Sequence, residues 1–303
     1  MQTIFVEANG LRFEVLEEGS GDRLALCLHG FPEHGYSWRH QLPLLARLGY
    51  RAWAPNLRGY GNSSRPPLVS DYRMDALLGD VAGLIDASGA KEVVLIAQDW
   101  GGAIAWMFAI RRIRPLARLI VMNLPHPARF DEGLRTWAQF KRSWYIFFFQ
   151  IPWLPEFLFG ARRARAIGDV FRNMAIDKSR FTDADLAIYR ANAAAPGALT
   201  AMINYYRAAL RGGGVPEMRE GWPTVETPTL MIWGEEDTAL GKELTFGTDR
   251  FVSNLTLRYV PRCSHCVQQE QPEMVNGLME AWLSGQPVPE VRVEHRLVPA
   301  AAE

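Results

Sequence analysis

The sequence predicts an α/β protein with a mostly parallel central sheet, helices on both faces and an inserted helical cap. Three observations support this prediction. Up to residue 122, short apolar runs suited to buried strands alternate with helical stretches. Between about residues 129 and 211 only helical patterns occur. The alternation resumes near residue 229, so the chain is expected to return to the same sheet after the insertion.

The first half of the chain supplies most of the sheet. Asn9-Gly10 predicts a hairpin, because this dipeptide favours the tight turn between antiparallel strands. One apolar stripe over 71–88 predicts a helix that ends at Gly89. The predicted strands are 4–7, 11–16, 24–28, 50–54, 93–96 and 117–122, and the remaining helices are 37–48, restarting at Pro43, and 101–112.

The second half contains the insertion and the return to the sheet. Ten aromatic residues between Trp137 and Phe159 are expected to lie mainly in the core, where they would seal the insertion onto the sheet. The run 212–216 predicts a flexible return linker. Strands 229–233 and 255–260 follow, with helices near 240–248 and 270–284. The predicted division is 1–128 for the first part of the core, 129–215 for the helical cap, 216–284 for the second part of the core and 285–303 for a tail.

Composition excludes several classes of function. Lys+Arg and Asp+Glu are both 33, so no net field would recruit nucleic acid or an anionic membrane. Three cysteines are too few for a disulfide framework and the N-terminus lacks a signal-peptide pattern, which favours the cytoplasm. The apolar stretch Trp144–Phe159 has 16 residues and two prolines, too short and too broken to insert across a bilayer.

The most informative motif follows the strand at 93–96. It reads Ala97-Gln98-Asp99-Trp100-Gly101-Gly102, a strand–sharp turn–helix pattern in which small residues flank a nucleophile. Asp99 occupies the place where ester and amide hydrolases have serine. A carboxylate instead attacks a saturated, strained or halogenated carbon and forms an alkyl-enzyme ester. Asp99 is therefore the predicted nucleophile.

Two further residues complete a predicted triad, because reactive groups gather at the carboxyl ends of strands in an open α/β sheet. Asp237 follows strand 229–233 and His265 follows strand 255–260, in the order nucleophile, acid, base. His265 would activate water and Asp237 would orient the imidazole. Glu235 and Glu236 are read as solvated neighbours of Asp237. No His, Cys or Asp spacing indicates a metal site, and no metal or cofactor is expected.

An oxyanion that forms during ester hydrolysis needs donors already in place. The backbone N–H groups of Phe31 and Trp100 are the candidates, and a cis peptide at Phe31–Pro32 would aim the first inward. The candidate residues for lining an apolar substrate pocket are Trp38, Phe148 and Pro32. His29 and His126 are interpreted as structural.

Five motifs in correct order and spacing resemble the epoxide hydrolases of the α/β-hydrolase fold. They are His29-Gly-Phe-Pro-Glu33, Trp38-Arg-His-Gln41, Leu57-Arg-Gly-Tyr-Gly61, Gln98-Asp-Trp-Gly-Gly102 and Cys263-Ser-His265. The similarity covers roughly 3–284. It implies that two cap tyrosines donate to the epoxide oxygen, assigned to Tyr145 and Tyr206, with Tyr205 as the rival of Tyr206. Asn56 departs from the family's usual aspartate, for which only a local electrostatic change is expected.

The resemblance implies hydrolysis of an apolar epoxide with water to a vicinal diol. The alternative is a haloalkane dehalogenase with the same nucleophile, although Phe31 stands where a halide-binding Asn would be expected. A serine esterase is disfavoured because no Gly-x-Ser-x-Gly occurs, and a non-catalytic binding protein would be expected to lack one of the site residues. Detoxification, catabolism and lipid-signal processing all fit. The sequence leaves the oligomeric state open, with a homodimer as one option.

Overall fold

A computed structural model describes residues 1–212 and 215–290, and these residues contain one eight-stranded sheet in the order β1-β2-β4-β3-β5-β6-β7-β8. The strands are β1 Gln2–Ala8, β2 Leu11–Glu18, β3 Arg23–Leu28, β4 Arg51–Pro55, β5 Glu92–Gln98, β6 Arg118–Met122, β7 Thr229–Gly234 and β8 Leu255–Val260. Strand β2 runs antiparallel to both neighbours, and the pairs from β4 to β8 are parallel. The predicted fold class is confirmed.

Helices cover both faces of this sheet. They are α1 Leu42–Arg47, α2 Met74–Ser88, α3 Trp100–Ile110, α4 Pro127–Leu134, α5 Trp137–Arg142, α6 Trp144–Phe148, α7 Leu154–Met174, α8 Asp183–Ala194, α9 Ala198–Arg211, α10 Glu217–Glu220, α11 Val267–Glu270 and α12 Pro272–Leu283. Short 3-10 turns lie at Gly35–Trp38, Val69–Tyr72, Lys178–Arg180, Lys242–Thr245 and Thr248–Arg250. Helix α7 is interrupted at 161–164, where the backbone leaves the helical region.

Local sequence signals explain most of these boundaries. Asn9 and Gly10 both have positive φ, as the predicted tight hairpin requires, and Ala8 pairs with Leu11 across the turn. Gly89 ends α2 in the left-handed conformation, and Pro43 lies in the first turn of α1. The predicted hairpin, C-cap and helix restart are therefore confirmed.

Two expectations in the second half were wrong in detail. The helix predicted near 240–248 is a pair of 3-10 turns, because Gly241 and Gly247 bracket a stretch too short for an α-helix. The short helix α10 was not predicted. Gly213 and Gly214 of the predicted linker, and residues 291–303 of the predicted tail, lie outside the described residues.

The alternation of side chains along the strands divides the core into two clusters. In β5, Val93, Leu95 and Ala97 belong to one cluster, whereas Val94 and Ile96 belong to the other. Since successive side chains of a strand point to opposite faces, the two clusters lie on opposite faces of the sheet. Both faces are therefore buried, as expected for strands that read as continuous apolar runs.

Helices α4 to α9 lie between β6 and β7 in the chain, and the described residues of this insertion contain no strand. Of the ten aromatic side chains from Trp137 to Phe159, six are exposed, so the expectation that this run is mainly core was wrong. The six exposed side chains are Trp137, Phe140, Trp144, Phe147, Trp153 and Phe157. The run is apolar at nearly every position, and a helix turns about 100° per residue, so only part of it can face the sheet.

Candidate active site

Asp99 lies at the sharp turn between β5 and α3. Its backbone has φ 47° and ψ −122°, a conformation that an L-residue rarely adopts. The turn depends on the glycines around it, since a Cβ at Gly30 would collide with the Asp99 side chain and one at Gly101 with the Leu28 carbonyl oxygen. The small residues of the motif therefore allow the backbone to approach closely, as the sequence indicated.

The two carboxylate oxygens of Asp99 have different partners. Oδ1 accepts a hydrogen bond from the Phe31 N–H at 2.8 Å. Oδ2 lies 3.4 Å from Nε2 of His265. The side chain is 12% exposed, so little water competes for either oxygen. One oxygen is thus held by the backbone, while the other faces the imidazole.

His265 lies between the Asp99 and Asp237 carboxylates. Its Nδ1 is 2.7 Å from Oδ2 of Asp237, and its backbone carbonyl accepts a hydrogen bond from the Gln98 side chain at 3.1 Å. The carboxylate partner at Nδ1 leaves Nε2 directed at Asp99. The structure therefore brings together the three residues of the predicted triad.

The Asp237 carboxylate is itself held in place by several donors. Its Oδ1 accepts the backbone N–H groups of Ala239 and Leu240 at 2.8 and 2.9 Å. Its Oδ2 accepts the side-chain N–H of Asn123 at 2.7 Å. Glu235 instead pairs with Lys242, so the acid beside the imidazole is Asp237. These bonds leave the carboxylate little freedom to turn away from His265.

The charges around His265 determine its protonation. Burial disfavours the charged imidazole, but the Asp237 and Asp99 carboxylates outweigh burial and hold the pKa of His265 well above its ordinary value. A change in the charge of either carboxylate will therefore change the proton affinity of the imidazole.

Tyr145 of α6 and Tyr206 of α9 contact each other edge to face. Their ring centroids are 5.8 Å apart, and the Tyr206 ring contacts those of Trp100 and Phe31 at 5.1 and 5.3 Å. Burial, reinforced by the nearby Asp99 charge, raises the pKa of both phenols. Both groups are therefore protonated donors at neutral pH.

Tyr205, the rival of Tyr206, has a different environment. Its hydroxyl donates to the Arg58 carbonyl oxygen at 2.9 Å, and its ring packs with Tyr60 and Tyr72 in the core. Adjacent helical positions point about 100° apart, so only Tyr206 faces Tyr145. The geometry favours the assignment to Tyr206.

Two of the three candidate pocket residues lie near the site, and the third does not. Phe148 packs against the cluster that contains Tyr206 and Phe149. Pro32 is buried beside Phe31, and the Phe31–Pro32 peptide is cis, which confirms that expectation. Trp38 is placed elsewhere: it is fully buried in the cluster on the opposite sheet face from Phe31, so its assignment to the pocket needs correction. Its short 3-10 turn directs the indole into that core.

Two histidines outside the triad have structural contacts. His29 Nε2 accepts the Leu57 N–H at 3.0 Å, and burial lowers its pKa to about 3. His126 caps α4 through Nδ1 and stacks on Phe251. Within residues 1–212 and 215–290, no three His, Cys, Asp or Glu side chains are grouped to hold a metal ion.

Two residues near the triad were not assigned from the sequence. Asn123 has positive φ, and its side-chain Oδ1 accepts the Gly234 N–H at 3.0 Å. Glu33 is fully buried and accepts hydrogen bonds from Gln268 and Gln269, which ties the loop after β3 to the helix after His265. Burial raises the pKa of Glu33 to about 7. Two features of the sequence could have identified these residues. Asn123 directly follows β6, and Glu33 ends the motif His29-Gly-Phe-Pro-Glu33.

Comparison with known proteins agrees with this geometry. Residues 26–272 match the family described as alpha/beta hydrolase fold. The chain is 40% identical over 285 residues to epoxide hydrolase 4 of Mus musculus, covering 92% of this chain and 78% of that protein. It is 38% identical over 287 residues to the AB hydrolase superfamily protein YfhM of Bacillus subtilis, covering 93% and 98%.

Solved structures give the same result. An epoxide hydrolase of Bacillus megaterium, in complex with an inhibitor, superimposes with a TM-score of 0.85 at 28% identity, covering 93% of this chain and 100% of that chain. Epoxide hydrolase A of Mycobacterium thermoresistibile superimposes with a TM-score of 0.82 at 28% identity, covering 95% and 99%. The likeness therefore extends over the insertion as well as the sheet.

Proposed function

This chain belongs to the epoxide hydrolases of the α/β-hydrolase fold, and we propose that it converts an apolar epoxide and water to a vicinal diol through an ester on Asp99. The observation that supports this most directly is that Tyr145 and Tyr206 contact each other close enough to Asp99 for its charge to raise the pKa of both phenols. A carboxylate nucleophile and two phenolic donors suit a ring whose carbon is attacked while its oxygen gains a proton. Helices α4 to α9 form the cap in this proposal.

In the first step, Oδ2 of Asp99 attacks an epoxide carbon and the carbon–oxygen bond of the ring breaks. Oδ2 is the oxygen without a backbone donor in the structure, because the Phe31 N–H holds Oδ1. The departing oxygen takes a proton from Tyr145 or Tyr206, and the other phenol stabilises it by a hydrogen bond. The products are an alkyl ester on Asp99, a free hydroxyl on the substrate and one tyrosinate.

In the second step, His265 accepts a proton from water through Nε2, and the hydroxide attacks Cγ of Asp99. The former Oδ1 becomes the oxyanion and stays with the Phe31 N–H. Trp100 is the first residue of α3, so its N–H has no partner within the helix and can be the second donor. The imidazolium protonates the departing diol oxygen, and the remaining proton passes from Asp99 to the tyrosinate.

Formation of the ester prepares the base. It removes the negative charge of Asp99, one of the two carboxylates that raise the pKa of His265. The pKa of His265 should therefore fall once the ester forms, and the neutral imidazole needed for the second step becomes more populated. Asp237 keeps the ring oriented through both steps.

The surroundings of Asp99 favour an apolar substrate. The side chains packed near the tyrosines are aromatic or aliphatic: Phe31, Trp100, Phe148, Phe149, Phe159 and Ile203. An aryl or alkyl oxirane would therefore bind better than a polar one.

The three cysteines are free and buried, which fits a reducing cytoplasm. In that compartment, clearance of reactive epoxides is the role we favour.

A substrate panel tests the proposal. Styrene-type, aliphatic and fatty-acid epoxides are incubated with the purified chain alongside haloalkanes, and diol and halide are measured. Diol formation from at least one epoxide class, without halide release, is expected. Halide release from the haloalkanes would identify a dehalogenase instead, and no turnover by correctly folded protein would favour a binding role.

A further inference from the structure

The outer side of the insertion exposes an unusual number of large apolar side chains. We define the outer aromatic face as Trp137, Phe140, Trp144, Phe147, Ile151, Trp153, Phe157 and Leu158. The most exposed are Trp153 at 72%, and Trp137 and Phe157 at 68% each. Scattered exposed apolar residues are normal, but a concentration within 22 consecutive positions, 137–158, indicates a contact surface.

Ring contacts connect members of this face. The Phe140 ring lies 5.8 Å from that of Trp137 and 5.4 Å from that of Phe147. Trp144 contacts Phe148 at 5.7 Å. Phe140 therefore joins Trp137 and Phe147 into one patch across α5 and α6, and the exposed apolar side chains of 151–158 follow this patch in the chain.

The outer aromatic face carries basic side chains without an acidic partner, although Arg135 pairs with Asp131 and Arg142 with Glu243. The exposed charged residues of 135–163 are all basic: Arg135, Lys141, Arg162 and Arg163. The ammonium of Lys141 lies 5.4 Å from the centre of the Trp137 ring. Glu156, the single acid in that stretch, is turned inward and paired with Arg207. Lys141, Arg162 and Arg163, which have no acidic partner in the described residues, therefore form a basic margin of this face in a chain with no net charge.

From this combination we propose that the outer aromatic face binds peripherally to the surface of an anionic lipid bilayer. Trp, Phe and Leu beside Lys and Arg are typical of segments that lie in the bilayer interface. The aromatic rings would enter the boundary between headgroups and acyl chains, and the basic margin would contact anionic headgroups. In the described residues, no helix is long and apolar enough to cross a membrane.

A second copy of the chain is the competing occupant, and the charge pattern opposes it. A twofold interface places the same patch on both subunits, so the basic margin of one copy would face that of the other. Like charges brought together at an interface are repulsive. An anionic surface complements the margin, and we therefore assign the face to lipid.

Helix α6 would connect the membrane contact to the active site. The helix directs Tyr145 toward Tyr206 in the site, while Trp144 and Phe147 are exposed on its outer side. A docked enzyme would therefore hold its proton donors one helix away from the lipid, where apolar epoxides concentrate. The binding itself goes beyond the proposed function and does not depend on it.

Co-sedimentation with vesicles tests the proposal. The full chain is mixed with vesicles of phosphatidylglycerol and phosphatidylcholine in equal parts, and with phosphatidylcholine alone, at low and high salt. Binding to the anionic vesicles is expected, with a decrease in neutral vesicles and at high salt. Trp137→Ser, Trp153→Ser and Phe157→Ser together should weaken binding at least about 100-fold, because each removes apolar area that enters the interface.

Two further variants separate the contributions. Lys141→Glu with Arg163→Glu should weaken binding to anionic vesicles by about fivefold or more per residue. Phe5→Ser with Leu68→Ser removes exposed apolar side chains outside the face and should bind as the parent does. Circular dichroism establishes that each variant is folded.

Three results would overturn the assignment to lipid. They are absence of the parent chain from the vesicle pellet, equal binding by the triple serine variant, and sedimentation equilibrium showing a dimer that the triple variant dissociates while vesicles bind neither. Diol formation from a water-soluble epoxide is measured in parallel. Since the vesicle assay reads binding alone, its failure is distinguishable from a failure of the proposed activity.

Discussion

At the strand ends, Asp99, Asp237 and His265 are held by hydrogen bonds from backbone and buried side chains, whereas Tyr145 and Tyr206 on the insertion are held by ring contacts. Hydrogen bonds fix atoms within tenths of an ångström, while ring packing tolerates small shifts. In the proposed mechanism, the sheet edge therefore positions the nucleophile and the base, and the insertion positions the two acids. Substitutions at the sheet edge and substitutions in the insertion should therefore slow different steps of the proposed reaction.

The largest effect is expected at the sheet edge. Asp99→Ala removes the atom that bonds to the substrate, so diol formation should fall by at least about 10⁴-fold. Product is measured by chromatography on a sample freed of host enzymes. Asp249→Ala, at an exposed carboxylate far along the chain, should keep full activity. Persistent turnover by the Asp99 variant would remove the covalent step from this residue.

His265→Gln should block the second step while the first continues. The expected result is an accumulated ester, seen by intact mass spectrometry as an increase equal to the mass of the epoxide, and ester hydrolysis slower by about 10³-fold. His40→Gln, at an exposed imidazole, is the control and should accumulate no ester. An unmodified His265 variant that still turns over would contradict the role of base.

The insertion is tested by removing single hydroxyl groups. Tyr145→Phe and Tyr206→Phe should each slow ring opening by about 10- to 100-fold in single-turnover experiments and leave ester hydrolysis nearly unchanged. Tyr205→Phe loses the bond to the Arg58 carbonyl and should lower stability more than ring opening. Equal slowing of both steps by the Tyr145 and Tyr206 variants would break the division between the sheet edge and the insertion.

The smallest effect is expected at Asn123. Asn123→Gly tolerates the positive φ but loses the hydrogen bond to Asp237, so the imidazole is oriented less well. Ester hydrolysis should slow by about tenfold, with ring opening preserved. Rapid-quench measurement of both steps checks this. If the variant were slowed mainly in ring opening, Asn123 would instead act on the step assigned to the tyrosines of the insertion.

The same division explains what the sequence could predict. The elbow at Asp99 is a local pattern of strand, small residues and helix, and the order of strands brings Asp237 and His265 to the same edge. Local patterns and the order of strands can be read directly from the sequence, so the sequence alone predicts that these three residues lie together. The two tyrosines came from the family resemblance, and the structure places their rings edge to face.

Other features depend on three-dimensional neighbours that no local pattern encodes. Asn123 meets Asp237 across 114 positions of sequence, so its contact could not be read from spacing. Trp38 was expected beside the substrate but packs in the core on the opposite face of the sheet, because an aromatic side chain in a loop motif can turn to either sheet face. The aromatic run of the insertion was expected to be core because it is apolar at nearly every position. Composition alone does not show which side of a helix packs against the protein and which side is exposed.

The central claim is that the Asp99 carboxylate bonds to the substrate before water reacts, and isotope transfer tests it most directly. One turnover is run in water enriched in heavy oxygen with enzyme in excess, and the peptide containing Asp99 and the diol are analysed by mass spectrometry. We predict that the label enters the Asp99 carboxylate, while the diol receives its second oxygen unlabelled from the enzyme. Label in the diol, with an unlabelled Asp99 peptide, would contradict the account.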